Sequence, residues 1–149
     1  MEYLAHIADD GRVQTVSEHL HGTGELAAGF AAPFGAADEA RAAGLLHDIG
    51  KYSAAFQQRI RGSAVSVDHS TAGAQEARNR RDLPAALAIA GHHGGIPDCG
   101  NLNDAADDTT LQGRLKRKLP PYNEWQSEIA PPPAKSPAWA LSDSITAAF

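Results

Sequence analysis

The chain has 149 residues, 42% apolar and 21% charged, with a formal net charge of −5. That is enough mass for one domain with its own core, and the acidic balance argues against a protein that grips nucleic acid by bulk charge alone. The single cysteine, Cys99, excludes an intrachain disulfide; no apolar run approaches the roughly 18–20 residues of a membrane span. The first residues, MEYLAHIADDGR, lack the basic start and apolar stretch of a signal peptide. The expectation is a cytoplasmic protein with no membrane partner.

Helical signals dominate, and no stretch alternates strictly enough to predict a strand. Val13, Val16, Leu20, Ala27 and Phe30 recur at helical spacing, interrupted by Gly22 and Gly24. An alanine-rich helix is predicted over 36–48, with Asp38 and Glu39 well placed in its first turn. A third helix is expected from Tyr52 to Ile60, stopped by Arg61-Gly62. Asp68 fits the N-cap of a helix running from His69 to about Arg80. Pro84 suits the first turn of the next, which ends near Gly94-Gly95. Residues 96–110 read as loop, 114–118 as a short basic helix, and 138–149 as a last helix. The predicted class is all-α, one domain over 1–149, built from short helices with histidines at their ends.

The histidines carry the chemistry. His47-Asp48 ends one helix in GLLHDIGK, His92-His93 ends another in AGHHGG, His69 opens a helix in VDHSTAG, and His19 lies within the first in SEHLHG. Imidazole and carboxylate are the usual ligands of divalent transition metals, and ligands at several helix ends can converge on one point. A carboxylate has two oxygens and can bridge two ions. His6 and His21 lack such surroundings and read as ordinary hydrogen-bonded histidines.

The ordered set H…HD…H…HH resembles the HD superfamily of metal-dependent phosphohydrolases. More narrowly, EHL at 18–20, GLLHDIGK at 44–51, FQQRIRG at 56–62, VDHSTAG at 67–73 and GHHGG at 91–95 resemble the HD nuclease domain of the CRISPR-associated type I helicase-nuclease. The resemblance covers about the first two-thirds of the chain. It implies a compact HD-domain helical bundle holding two divalent metal ions. His19, His47 and Asp48 would serve the first, and Asp48 would bridge to a second held also by His69, His92 and His93. Lys51 matches the family's lysine near the scissile phosphate, which with Asp48 makes the implied catalytic pair. The family also places a late aspartate, in a segment resembling SxLVDAD, on the first metal. No such string occurs here. The chain ends ALSDSITAAF, similar to the stretch just before that segment, so the expectation is a domain truncated at its C-terminal end, with Asp143 the only nearby candidate.

Two metals acidify water and neutralise charge growing on a phosphoryl group, so a metal-activated water is the expected nucleophile. A histidine-rich set favours Mn, Fe, Co or Ni, with Mg possible though it prefers oxygen ligands. The resemblance implies single-stranded DNA as substrate and, as partners, a helicase portion or separate helicase chain and a CRISPR RNA-guided effector complex. No GxxxxGK[ST] phosphate loop occurs in these residues. Arg59 and Arg61 are the candidates for phosphate contact. Tyr52, Phe56, Tyr122, Trp125 and Trp139 offer rings for base stacking or for the core. Two alternatives stand beside the nuclease: an HD phosphohydrolase acting on nucleotides or cyclic nucleotides, and a catalytically idle, metal-stabilised binding module.

Overall fold

The structure is a computed structural model that describes residues 2–134; the expected helix over 138–149, with Trp139 and Asp143, lies outside the described residues. The chain enters through a hairpin that the sequence pattern does not announce. β1 (Leu4–Ile7) and β2 (Val13–Thr15) pair antiparallel, with His6 opposite Gln14 and Ile7 opposite Val13. Gly11 takes φ 84° in the connecting turn, a left-handed value that costs glycine nothing. Strands this short show no alternation, so Val13 looked like the start of a helix and is instead in β2.

Thr15 then starts α1 (Val16–Ala31) with a capping box: Glu18 N–H donates to Thr15 Oγ1 (3.1 Å), and Thr15 N–H donates to the Glu18 carboxylate (2.9 Å). The buried stripe of α1 is Val16, Leu20, Gly24 and Ala28. Phe30, expected on that face, is 77% exposed. The reason is α2 (Ala37–Leu46), which packs on α1 so closely that a Cβ on Gly44 would lie 2.7 Å from the Gly24 Cα. Gly24 weakens the helix locally, but it lets the two backbones meet.

The predicted helix over 36–48 stops at Leu46, and His47-Asp48 leads into a 3-10 turn, Ile49–Tyr52. That turn replaces the first residue of the expected third helix; Ser53 Oγ then caps α3 (Ala54–Ile60) by accepting from Phe56 N–H. The next pair is α4 (Ser70–Asn79) and α5 (Leu83–Gly91), with Pro84 in the first turn of α5 and Asp82 accepting from Ala85 N–H (3.0 Å). A short α6 (Leu111–Leu115) begins three residues before the expected basic helix, capped by Thr110. A further 3-10 turn, Asn123–Ser127, brings Trp125 and Ile129 onto the core. The fold is therefore mostly helical, with one small two-stranded sheet among the described residues. Its core is dominated by small and aliphatic side chains: Ala72, Ala74, Ala77, Ala86, Ala90, Leu20, Leu46, Ile49 and Ile89. Alanines on α4 and α5 let those helices approach each other and α2. The Tyr52 hydroxyl, in the core, donates to Glu128 (2.6 Å); burial and that carboxylate raise its pKa.

Asp68 holds the start of α4. It accepts from Thr71 N–H (3.1 Å), the Thr71 hydroxyl (2.7 Å) and Arg117 (2.7 Å). Burial works against its charge, yet Thr71 and Arg117 outweigh burial and hold the carboxyl below its usual range. Asp68→Ala is expected to cost about 2 kcal/mol, the sum of a lost cap and a charge-assisted bond. Urea unfolding at neutral pH measures this. Because the folded-state pKa is lowered, the stabilisation is full at neutral pH. It is lost as pH falls through the folded value.

Candidate metal centre

Asp48 lies just past the end of α2 and is 2% exposed. His47, on the same helix end, and His19, from the first turn of α1, reach one of its oxygens: Oδ2 is 3.0 Å from His19 Nε2 and 3.3 Å from His47 Nε2. His69, at the N-cap of α4, and His92, at the C-cap of α5, reach the other, each with Nε2 3.3 Å from Oδ1. His93 Nε2 is 2.8 Å from His69 Nε2. The candidate ligand atoms fall into two sets that share Asp48: His19, His47, Asp48, and Asp48, His69, His92, His93.

The orientation of the rings follows from their other nitrogens. His47 Nδ1–H donates to Gly44 C=O (2.7 Å) and His92 Nδ1–H donates to Ile89 C=O (2.7 Å), each one turn back on its own helix. In that tautomer Nε2 carries a lone pair, which therefore points at Asp48 and not into solvent. Lone pairs facing a carboxylate repel unless a cation or proton lies between them. Asp48 Oδ1 is buried and has no hydrogen-bond partner among the described residues. A buried, unpartnered carboxylate oxygen faced by two imidazole nitrogens is what a divalent cation would satisfy, so the His/Asp cluster fits a divalent metal. Burial opposes charge on Asp48, but the close approach of His19, His47 and His92 outweighs burial and holds the carboxyl well below the usual carboxylate range. Burial lowers His69, and Asp48 only partly offsets this. Burial lowers His92 too, but there the Asp48 contact prevails and its pKa is raised.

Lys51 closes the 3-10 turn and is 4% exposed. Its ammonium donates to Asp48 Oδ2 (2.8 Å), His6 Nε2 (3.3 Å) and Ala5 C=O (3.5 Å), and it lies 5.5 Å from the centre of the Phe56 ring. A buried cation thus balances a buried anion beside the candidate ligands. Outside them runs an open cleft of about 470 Å³ lined by His6, Lys51, Phe56, Arg59, His69 and His93, among others.

The two candidate phosphate arginines part company. Arg59 lines this cleft. Arg61 is turned to the hairpin: it donates to Gln57 C=O (2.8 Å), Gln57 Oε1 (2.7 Å) and Glu2 C=O (3.2 Å). The later basic residues knit the loops together. Arg114 donates to Ala90 C=O (2.6 Å), Arg117 to Asp68, Lys116 to Leu102 C=O (2.6 Å), and Arg80 to Pro132 C=O. Of the aromatic candidates, Tyr52 and Trp125 are in the core, Tyr122 packs against it, and Phe56 forms cleft wall with its ring 5.2 Å from His69.

Two residues that sequence reasoning passed over matter here. His6, read as an ordinary histidine, packs edge-on against His19 (ring centroids 4.8 Å) and contacts Lys51. Gln57 is 2% exposed and mimics a strand partner for β1, accepting from Leu4 N–H (3.0 Å) while donating to Leu4 C=O (2.9 Å) and Lys51 C=O (2.8 Å). Gln57 fixes where the hairpin lies, and the hairpin carries His6 to the site. No local pattern signals either role, because both depend on a segment pairing across more than 40 residues of chain.

Comparison with curated proteins finds no match. A family model does match: the HD domain model covers residues 16–124, from the first residue of α1 into the last 3-10 turn. All six clustered ligand candidates fall within that span, and the hairpin precedes it. With most of its length matched and His19, His69, His92 and His93 gathered on the His47-Asp48 pair, the chain belongs to the HD domain family, whose general chemistry is metal-dependent phosphoester hydrolysis.

Proposed function

We propose that this protein is a metal-dependent nuclease that hydrolyses phosphodiesters of single-stranded DNA, acting in CRISPR type I interference beside a helicase. The observation that carries the reading is the open cleft running past the candidate ligand cluster, lined by both cationic and apolar side chains. Arg59 and the buried charge of Lys51 attract a phosphate backbone, while Phe56, Ile7 and Ile60 offer surface on which bases can lie. An open trough suits a continuous strand better than a single nucleotide, which is usually held in a more enclosed pocket. The CRISPR assignment rests on the motif resemblance, from GLLHDIGK through FQQRIRG and VDHSTAG to GHHGG.

His19, His47 and Asp48 would hold one divalent ion, and Asp48, His69, His92 and His93 a second. Such ions supply Lewis acidity, acidifying water and neutralising charge on phosphoryl oxygens. The chain's own residues do the rest. Gly44 and Ile89 carbonyls fix the His47 and His92 tautomers. Lys51 holds Asp48 and adds positive potential at the cleft floor. Arg59 draws the strand in.

Metal-loaded protein incubated with single-stranded DNA and with a panel of nucleotides and cyclic nucleotides tests the reading. Degradation of DNA is expected; nucleotide turnover without it would overturn the nuclease in favour of a nucleotide phosphohydrolase. Arg59→Glu is expected to slow DNA cleavage roughly tenfold while sparing bis(p-nitrophenyl) phosphate, because it removes one backbone contact remote from the reacting group. Equal loss on both substrates would make Arg59 structural.

A further inference from the structure

The three N–H groups of Lys51 meet three protein acceptors: Asp48 Oδ2, His6 Nε2 and Ala5 C=O. A buried ammonium so engaged has no donor left for an incoming phosphate. The same contact decides the state of His6. An ammonium cannot accept, so His6 Nε2 must be the acceptor and the imidazole proton must be on Nδ1. His6 Nδ1 has no partner among the described residues, and His6 is exposed where it lines the cleft, whereas Lys51, also in the lining, is almost wholly buried.

We propose that His6 is a substrate-binding residue: Lys51 orients its ring, and Nδ1–H donates to a non-bridging oxygen of the phosphoester in the cleft. The charge of Lys51 is thereby delivered through a neutral donor that can reach the anion, while Lys51 itself stays on Asp48. The hairpin that precedes the matched HD segment is then a working part of the site. Gln57, by clamping Leu4 on both its N–H and its C=O, is the positioning residue that sets His6 there. The inference rests on the phosphohydrolase reading for its substrate.

The experiment uses the full chain loaded with Mn. It compares His6→Ala, His6→Asn and His6→Gln with the parent by bis(p-nitrophenyl) phosphate kinetics, orthophosphate binding by calorimetry, metal content and thermal unfolding. An asparagine amide nitrogen falls near the position of Nδ1, a glutamine amide nitrogen near that of Nε2. The expected result for His6→Ala is a roughly tenfold higher KM and a similarly weakened orthophosphate affinity, the usual effect of one hydrogen bond to an anion. Metal content and melting temperature should match the parent. His6→Asn should recover most of the loss and His6→Gln should not. The proposal is overturned if His6→Ala stays within twofold of the parent in both KM and phosphate affinity. It is also overturned if the alanine variant loses metal, or if glutamine rescues better than asparagine. Should the parent hydrolyse no phosphoester, the functional reading fails on its own. Orthophosphate titration then still decides His6: weaker binding by His6→Ala sustains the contact, and equal or absent binding removes it.

Discussion

Asp48→Ala should abolish phosphoester hydrolysis, by at least about a thousandfold, and should strip metal from both candidate sets at once. Any single histidine serves one set; Asp48 serves both. Its loss should therefore exceed that of His19→Ala or His92→Ala in metal content and in rate. A second consequence concerns the apoprotein. Lys51 is 4% exposed, and Asp48 is its one carboxylate partner among the described residues. Removing that partner leaves a buried cation unpaired, a loss of about 3–5 kcal/mol in metal-free stability. Asp48→Asn keeps the shape and removes the charge, so it separates cavity from electrostatics: its destabilisation should approach that of alanine. Metal analysis, a nuclease assay and urea unfolding of the metal-free forms measure all three effects. If Asp48→Ala cleaves as well as the parent, the activity belongs elsewhere.

Gly50→Ala should be nearly as damaging through geometry alone. A Cβ at Gly50 would collide with the His69 carbonyl oxygen and lie 2.7 Å from the His69 Cα. Both neighbours are backbone, so relief requires moving the 3-10 turn away from the start of α4. Overpacking of this kind costs about 3 kcal/mol. Here the strain falls on the seam between Asp48 and His69, whose side chains are 3.3 Å apart. If both candidate sets hold metal, the set of Asp48, His69, His92 and His93 should lose it before the set of His19, His47 and Asp48. The outcome is read by denaturation and metal stoichiometry. Full metal uptake with parental stability would show that the turn can yield.

The helices were legible where local chemistry decides them. Pro84 opens α5 and the alanine-rich run makes α2; Asp68, expected at the N-cap of α4, stands one residue before it, His69 being the N-cap, yet still accepts from Thr71 N–H. Prediction failed where a tertiary contact overrides the local pattern. The buried face of α1 is set by Gly24 meeting Gly44, not by the bulk of Phe30. The hairpin was invisible because its strands are short and are held by Gln57, 53 residues from Leu4 in sequence. Arg59 and Arg61 look alike in sequence, yet one lines the cleft and the other ties down the hairpin.

For the metal centre, the amino-acid sequence alone determined which side chains are available: paired His-Asp and His-His at helix ends, beside the small residues that let those ends converge. Residue type and local helix breaks encode that much. Only the tertiary structure decided what each nitrogen faces. Backbone carbonyls of Gly44 and Ile89 turn His47 and His92 toward Asp48, and the hairpin brings His6, which reads as an ordinary histidine in the sequence, onto Lys51. Hydrogen-bond direction is fixed by partners distant in sequence, and no spacing along the chain carries it.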